Sequence, residues 1–595
     1  MDTLNGPKRL GTLFKECVLR VPPYQRAYAW CTKPNLDSFL SDLRSHPYNT
    51  EKSYFYGTIL LSRARDIRLR HLVACDVVDG QQRLTTACIF IMVAIERLRK
   101  DPEQSDLAHI YHETFIKDRL DGRKLSTVES DDGFFERYIL GGATYDSSQF
   151  STPSQRRLLE ARSYFMTAIE ELDVEELIRL VSTLHDSQVL VYAVESDIEA
   201  TQIFELQNDR GRPLTNLEAL KSFLMYGLYL YAKDDIRTDL PIVQKNFASI
   251  YRAAEIMEGM YDHRSEDELL SDHCIAFEEW RTVDGSDGWS QPKQLVRAIL
   301  HDVPHDAKGA WIKNFSYRLC ESFQIAQQIM EARDAENGIA LGELTALGRT
   351  AAYWPLMLKC WKSDRVSGRP NFERVVRGIE SFAFRAIIGG KRTDRGTSEL
   401  RRWARDLDNN FEALITRLSQ MRNDSEIFES FRFNLRSEHL FEWWGNNVTY
   451  LLWRYENHLR KRTGRQMPRL SWKTIVLPER PAVKYQRDHI EAKDPANPRL
   501  AILVKWNPED EERPFGEVCL HRLGNLVLDT YSSGSAKGNG DFASRISHYT
   551  GSGLQSQSEL VPRFASKDEN GNPLWDIFAI RKRQEALEAF VIDEL

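Results

Sequence analysis

Asp79-Gly80-Gln81-Gln82-Arg83 closes a short apolar run, HLVACDVV (71–78), and opens an apolar-periodic helix. A glycine between strand and helix lets backbone approach a ligand closely, and the first helical N–H groups carry partial positive charge. Arg83 offers a planar fork to phosphate oxygens. Asp79 can hold Mg2+ or activate water. Gln81 and Gln82 both donate and accept, so they can read a base, a ribose or a water. The same residues also suit an ordinary strand–helix turn with a surface arginine. VPPYQRAYAW (21–30) sets Gln25 and Arg26 among Tyr24, Tyr28 and Trp30, rings that either stack on a base or fill a core. Asn208-Asp209-Arg210-Gly211 is a second polar turn before Leu214 and Thr215. With no GxxxxGK[ST] segment, P-loop chemistry is excluded.

A second constellation lies near the C-terminal end. Asp488-His489, read at a strand end, is followed by His521-Arg522-Leu523-Gly524-Asn525, then by Asn539, Phe542 and Arg545. A carboxylate can bind a divalent metal while the neighbouring imidazole takes a proton from water. A downstream asparagine can hold that imidazole in the right tautomer. A third residue on the next helix can complete the metal site, which is the logic of ββα-metal, or HNH, nucleases. Glu491 and His521 are nearby alternatives for metal or proton work, and His521 also suits strand-edge packing.

These groups need elements to position them. FYGTILLS (55–62), HLVACDVV and QVLVYAVE (188–195) are rich in β-branched and aromatic residues and read as strands. Residues 85–185 read as mostly helical. Thr215 with Glu218 three residues on reads as a capping box. Apolar residues at three- and four-residue spacing make 217–460 an all-α stretch, and from 476 the texture turns to short strands, prolines and glycines. The expected division is 1–230, 231–475 and 476–595. At 595 residues the chain is too long for one core. Its net charge of −7 confines any nucleic-acid contact to local basic patches. One such patch is Arg454, Arg460, Lys461, Arg462, Arg465, Arg469 and Lys473, and the loop 391–395 is another. Eight scattered cysteines without a CxxC pair fit a reducing compartment. The best membrane candidate, 84–95, is too short to span, and no signal peptide precedes it, so a cytoplasmic location is expected.

Taken in order, PYQRAYAW, DGQQR and FELQNDRGRPLT (204–215) resemble the N-terminal domain of GmrSD-type and SspE-type restriction proteins, over roughly residues 1–230. The resemblance implies a ParB-like α/β core that hydrolyses a nucleotide, often GTP, and senses modified DNA. It assigns Asp79, Gly80, Gln81, Gln82, Arg83, Asn208 and Arg210 to the nucleotide. Tyr24, Gln25, Arg26, Tyr28 and Trp30 fall to the same pocket or to DNA sensing. LGNLVL (523–528) ahead of N-x-x-F-x-x-[KR] resembles the HNH-type domain that follows in that family. By that resemblance His489 is the general base, Asp488 a metal ligand, Asn525 the supporting asparagine and Asn539 the third position. Arg545, where the family has lysine, holds the scissile phosphate. The family's earlier asparagine falls where this chain reads SSGS (532–535). The implied protein is an α+β multidomain anti-phage DNA endonuclease. It uses Mg2+ or Mn2+ and GTP or another NTP, acts on double-stranded modified or phage DNA, has no membrane partner and leaves room for a homo-oligomer. Glucosylated hydroxymethylcytosine and phosphorothioate both suit it. The alternative is a nucleotide- and DNA-binding regulator whose C-terminal unit is degenerate.

Overall fold

A computed structural model describes residues 2–46, 53–64, 66–144, 150–196, 199–200, 203, 215–232, 235–335, 339–348, 350–391, 396–462, 467–476, 485–530 and 541–595. The chain divides into two compact units, Met1–Met330 and Glu331–Leu595. The helical stretch 231–475 is thereby shared between them. All eight cysteines are free thiols.

The first unit is built on a six-stranded mixed sheet. Its strands are β1 (Gly6–Arg9), β2 (Cys17–Arg20), β3 (Phe55–Arg63), β4 (Val73–Asp79), β5 (Leu125–Ser126) and β6 (Gln188–Val194), in the order β1-β6-β3-β4-β2-β5. β3 runs antiparallel to β4 and parallel to β6, and β2 runs parallel to β4. β4 is buried from Ala74 to Val78, as its unbroken apolar run requires of a central strand. After β1 comes α1 (Leu10–Glu16), and after β4 comes α2 (Gln81–Leu98). Every residue of α2 from Leu84 to Ile95 is buried. A helix apolar all round must lie inside the protein. That is why 84–95 carries membrane-like hydropathy, although among the described residues no helix is long and apolar enough to cross a bilayer. α3 (Pro153–Glu170) and α4 (Val174–His185) close over it.

Three further helices complete this unit: α5 (Asn216–Tyr231), α6 (Ile236–Glu258) and α7 (Glu266–Phe277). The Thr215–Glu218 capping box is present, with Glu218 N donating to Thr215 Oγ1 at 3.2 Å and Thr215 N to Glu218 Oε2 at 3.1 Å. Asp267 of α7 also accepts from the backbone of Asn216 and Leu217. The helix behind the NDRG turn is thus held at its N-terminus from two sides.

The second unit is helical up to a small strand pair. α8 (Pro370–Ile388) and α9 (Gly445–Arg462) precede β7 (Tyr485–His489) and β8 (Leu526–Thr530), and α10 (Phe542–Thr550) and α11 (Ile577–Glu594) follow. β7 and β8 pair antiparallel, with Tyr485 opposite Thr530 and His489 opposite Leu526. Ile490, Phe515, Val527, Phe542, Tyr549 and Trp575 share one core behind the pair. Gly524 of LGNL has a packing reason: a side chain there would strike the Ile580 carbonyl of α11. Arg583 of the same helix donates to Gly524 O at 3.0 Å and Leu526 O at 2.6 Å.

Part of the basic run is corrected by this packing, and Arg465 lies outside the described residues. Arg454 is buried and paired with Glu343 and with Glu380, Arg469 is paired with Glu343, and Arg460 lies 2.7 Å from Glu456. These arginines hold helices together rather than track phosphates. Lys461, Arg462 and Lys473 do remain exposed.

Candidate functional sites

Gly80 sits at φ 96° between β4 and α2, a conformation that L residues avoid. A Cβ there would also strike Ile59 of β3. Behind it Arg83 lies along the sheet edge, where Nη2 donates to Thr58 O at 2.6 Å and to Asp79 Oδ2 at 3.3 Å. Gly57, at φ 120°, leaves room for that guanidinium, since a Cβ would come 2.7 Å from its Nη1. Arg83 Nε is buried without a hydrogen-bond partner among the described residues. Asp79 keeps 40 % of its side chain open although crowded on its other sides. Burial pushes its carboxyl above the usual range, and Arg83 draws it back down. Asp79 and Arg83 thus form a half-open acid–base pair at a helix start.

The two glutamines do something the spacing does not announce. Gln82 Nε2 donates to Ala27 O at 3.1 Å, and Gln82 Oε1 accepts from Ala29 N at 2.9 Å. Gln81 Nε2 donates to Arg26 O at 3.0 Å. The expected base- or ribose-reading amides are therefore clamps on the PYQRAYAW loop, and Gln82 has both ends engaged. Gln81 Oε1 is buried and has no partner among the described residues. Gln25 extends the clamp, donating to Val78 O at 2.7 Å. Tyr24 is buried against it. Tyr28 and Trp30 do not reach a ligand surface. Tyr28 is buried with its hydroxyl 2.8 Å from Thr86 Oγ1, and Trp30 packs half-buried on the core. For these two rings, packing prevails over base stacking. Arg26 lies 3.5 Å from Glu266 of α7. Asn208 and Arg210 lie outside the described residues.

Lys221 of α5 is the residue that the sequence reading missed. It is 5 % exposed, and its Nζ donates to Gln25 Oε1 at 3.0 Å and Tyr24 O at 3.3 Å. Its ammonium lies 5.2 Å from the centre of the Tyr251 ring. Burial pushes its pKa down to about 8, against the pull of Glu218, Glu266 and Asp79. Lys221 belongs to the stripe Leu217, Leu220, Leu224, Leu228, all buried. A lysine on an apolar stripe is the signal that could have found it.

Beyond the same loop lies a cavity of about 810 Å³. Pro22, Tyr24, Gln25 and Ala27 form one side and α6 another, with Val128 to Ser130 between. Arg20 at its edge is already engaged by Asp76 and Asp66, with Nε 2.6 Å from Asp76 Oδ1. The loop 22–27 therefore has two faces, one clamped by DGQQR and one lining a cavity.

In the second unit, strand alternation sends Asp488 and His489 to opposite faces of β7. Asp488 is half-buried and accepts from His489 N at 2.8 Å. It shares its face with Asp529, whose Oδ2 lies 3.8 Å from His548 Nε2 on α10. His489 is 2 % exposed, with its ring centre 4.4 Å from that of Phe441. His489 Nε2 lies 3.1 Å from His521 Nδ1, and His521 Nε2 faces Glu442 at 3.7 Å. Burial, then His521, pushes the His489 pKa down to about 3, so the ring is neutral at pH 7. Asn525 does not hold this imidazole. It is fully buried, accepts from Glu491 N at 2.9 Å and Trp575 Nε1 at 3.0 Å, and donates to Leu520 O at 2.9 Å. It fixes the backbone leaving His489, while His521 takes the contact expected of it. Arg545 Nη1 donates to His489 O at 3.2 Å, so Arg545 also secures the His489 backbone. Glu491 is buried: its Oε1 accepts from Asn497 Nδ2 at 2.7 Å, and its Oε2 lies 3.5 Å from Arg499 Nε without a hydrogen-bond partner among the described residues. Asn539 and the stretch 532–535 lie outside the described residues.

A divalent cation suits this donor set in kind. Asp488 offers carboxylate oxygens of the kind that suit Mg2+ or Mn2+, on the face of β7 opposite His489. Among the described residues, the group whose ligand atoms lie closest together is His71, Asp118 and Asp121. There Asp121 accepts from the backbone of Arg70, His71 and Leu72, and both nitrogens of His71 face carboxylates, so the cluster works as a turn lock.

Residues 8–225 match the GmrSD restriction endonuclease N-terminal domain. Residues 426–590 match the GmrSD restriction endonucleases C-terminal domain. No match to the chain emerges among curated proteins. The two domains, in this order, cover both the DGQQR clamp and the β7–β8–α10 unit. The chain belongs to the GmrSD restriction endonucleases, a family whose activity is DNA cleavage.

Proposed function

We propose that the protein is an anti-phage endonuclease that cuts DNA at His489 under the control of an NTP-hydrolysing, modified-DNA-sensing first domain. The functional parts are a ParB-like domain at 1–230, a helical region at 231–475 and an HNH-type domain at 476–595. The observation that carries the cleavage reading is the order β7–β8–α10, with Asp488-His489 ending the first strand and Arg545 of the helix bonded to the His489 backbone. A neutral imidazole is the form that can accept a proton from water. In this reading His489 takes the proton of the attacking water. His521 fixes its ring plane, and Asn525 with Arg545 fixes its backbone. Asp488, with Asn539 as its partner, would hold the metal, which supplies Lewis acidity at the scissile phosphate when bound. In the first domain, Asp79, Arg83 and the buried Oε1 of Gln81, unpartnered among the described residues, would hold the nucleotide, and the family resemblance adds Asn208 and Arg210. GTP is the preferred candidate. Tyr24, Gln25 and Arg26 carry the response to DNA.

The low basicity and deep burial of His489 favour a second reading, a regulator that binds nucleotide and DNA without cutting. One assay decides between them. Supercoiled plasmids that are unmodified, phosphorothioate-bearing or glucosylated are incubated with Mg2+ or Mn2+, with and without GTP. Nicked or linear product on one modified plasmid, changed in yield by GTP, supports the endonuclease. Binding with no strand broken on any plasmid supports the regulator.

A further inference from the structure

The N-terminal family domain ends at residue 225, yet the cavity beside its PYQR loop is completed by α6, which begins at Ile236. That wall has a pattern of its own. Lys245, Ala248, Ser249 and Arg252 all line the cavity at i, i+3, i+4 and i+7, one helix face. Two small residues open the space, and a cation stands at each end of it. Lys245 and Arg252 are exposed and make no ion pair among the described residues. Along the helix axis they are about 10 Å apart.

The rest of the lining is polar and aromatic. Tyr24 and Tyr251 contribute rings, and Tyr251 is 5 % exposed with its hydroxyl lacking a hydrogen-bond partner among the described residues. The carboxylates do not oppose an anion strongly. Asp76 is engaged by Arg20, Glu255 accepts from Ser154 N at 3.2 Å, and Glu129 is exposed. A volume of about 810 Å³ lies within the ~300–1,000 Å³ typical of small-ligand sites.

We propose that this cavity seats one nucleotide unit of a DNA strand, base and sugar between the PYQR loop and α6, with the strand's phosphates on Lys245 and Arg252. A cavity large enough for a base, with cations beside it that track a backbone, is an ordinary means of holding an unpaired nucleotide. Two cations at opposite ends of the cavity suit phosphates spaced along a strand. A free triphosphate would need its cations clustered. The inference rests on the DNA-acting reading of the first domain and adds the residues of α6 that would recognise the strand.

The test is fluorescence anisotropy of labelled, modified DNA on the full-length protein in EDTA, which prevents cutting, from 50 to 200 mM salt. Each phosphate contact contributes about 0.9 to the slope of log affinity against log salt. K245A/R252A should lower that slope by about 2. Ala248→Trp fills the cavity but leaves both cations. It should weaken DNA binding at least tenfold with the slope unchanged. Both Lys245 and Arg252 are solvent-exposed, so their double variant keeps the fold even if Ala248→Trp does not. Wild-type binding with an unmoved slope in K245A/R252A overturns the inference and leaves the nuclease reading intact. No DNA binding by the wild-type chain overturns both. If Ala248→Trp loses GTP and keeps DNA, the cavity belongs to free nucleotide and the assignment to a strand is wrong.

Discussion

Replacing Lys221 with methionine tests the clamp where its energetics are most legible. Burial moves the lysine pKa from 10.5 to about 8, a difference of about 3 kcal/mol between protonation states. The folded pKa is depressed, so the unfolded chain binds more protons between those two values. Stability therefore rises with pH across that window, by about 1.4 kcal/mol per unit. Below pH 8 the cost of the buried ammonium is fully present, and near pH 10.5 it is gone. Methionine has a similar length and no proton to lose. The stability of the wild type minus that of K221M should climb by about 3 kcal/mol from pH 8 to pH 10.5, since other titrations cancel in the difference. Urea denaturation followed by tryptophan fluorescence at half-unit pH steps measures it. At the same time Gln25 Oε1 and Tyr24 O lose their donor, so the loop loosens and NTP hydrolysis should fall at least tenfold. A flat difference curve would show that the lysine is not buried as a charged group. Undiminished hydrolysis would refute the role given to the clamp.

Gln82→Ala removes two hydrogen bonds to the loop backbone and should cost about 2 kcal/mol, read as an earlier urea midpoint, together with most NTP hydrolysis. Gly80→Ala forces a side chain into a left-handed residue that faces Ile59. It should lose about 1–3 kcal/mol and lower the melting temperature. His521→Ala leaves the His489 ring without its 3.1 Å neighbour. It should cut the turnover of cleavage about a hundredfold with little change in KM, and His521→Gln, which can still bond Nε2, should recover part of it.

What the sequence displayed and what it hid follow from the range of each interaction. The strands at 55–63 and 73–79, the turn at Gly80 and the Thr215–Glu218 cap are local, and each shows in composition or in a three-residue spacing. The glutamines misled because their partners, Arg26 to Ala29, lie more than fifty residues upstream, and an amide's chemistry does not name its partner. Asn525 misled in the same way, since Trp575 is fifty residues downstream. The basic run read as a phosphate track because Glu343 and Glu380, which pair with Arg454, are far off in sequence. Tyr28 and Trp30 went to the core because a loop pinned by Gln82 turns its rings toward α2. Lys221 alone was locally visible, as a charge on an apolar stripe.

The central claim is that His489 cuts and that DGQQR controls it. Its most direct test is His489→Ala, assayed in parallel for plasmid cleavage with Mg2+ and for GTP hydrolysis. Cleavage should fall at least a thousandfold while hydrolysis is retained. Cleavage that survives the substitution would contradict it.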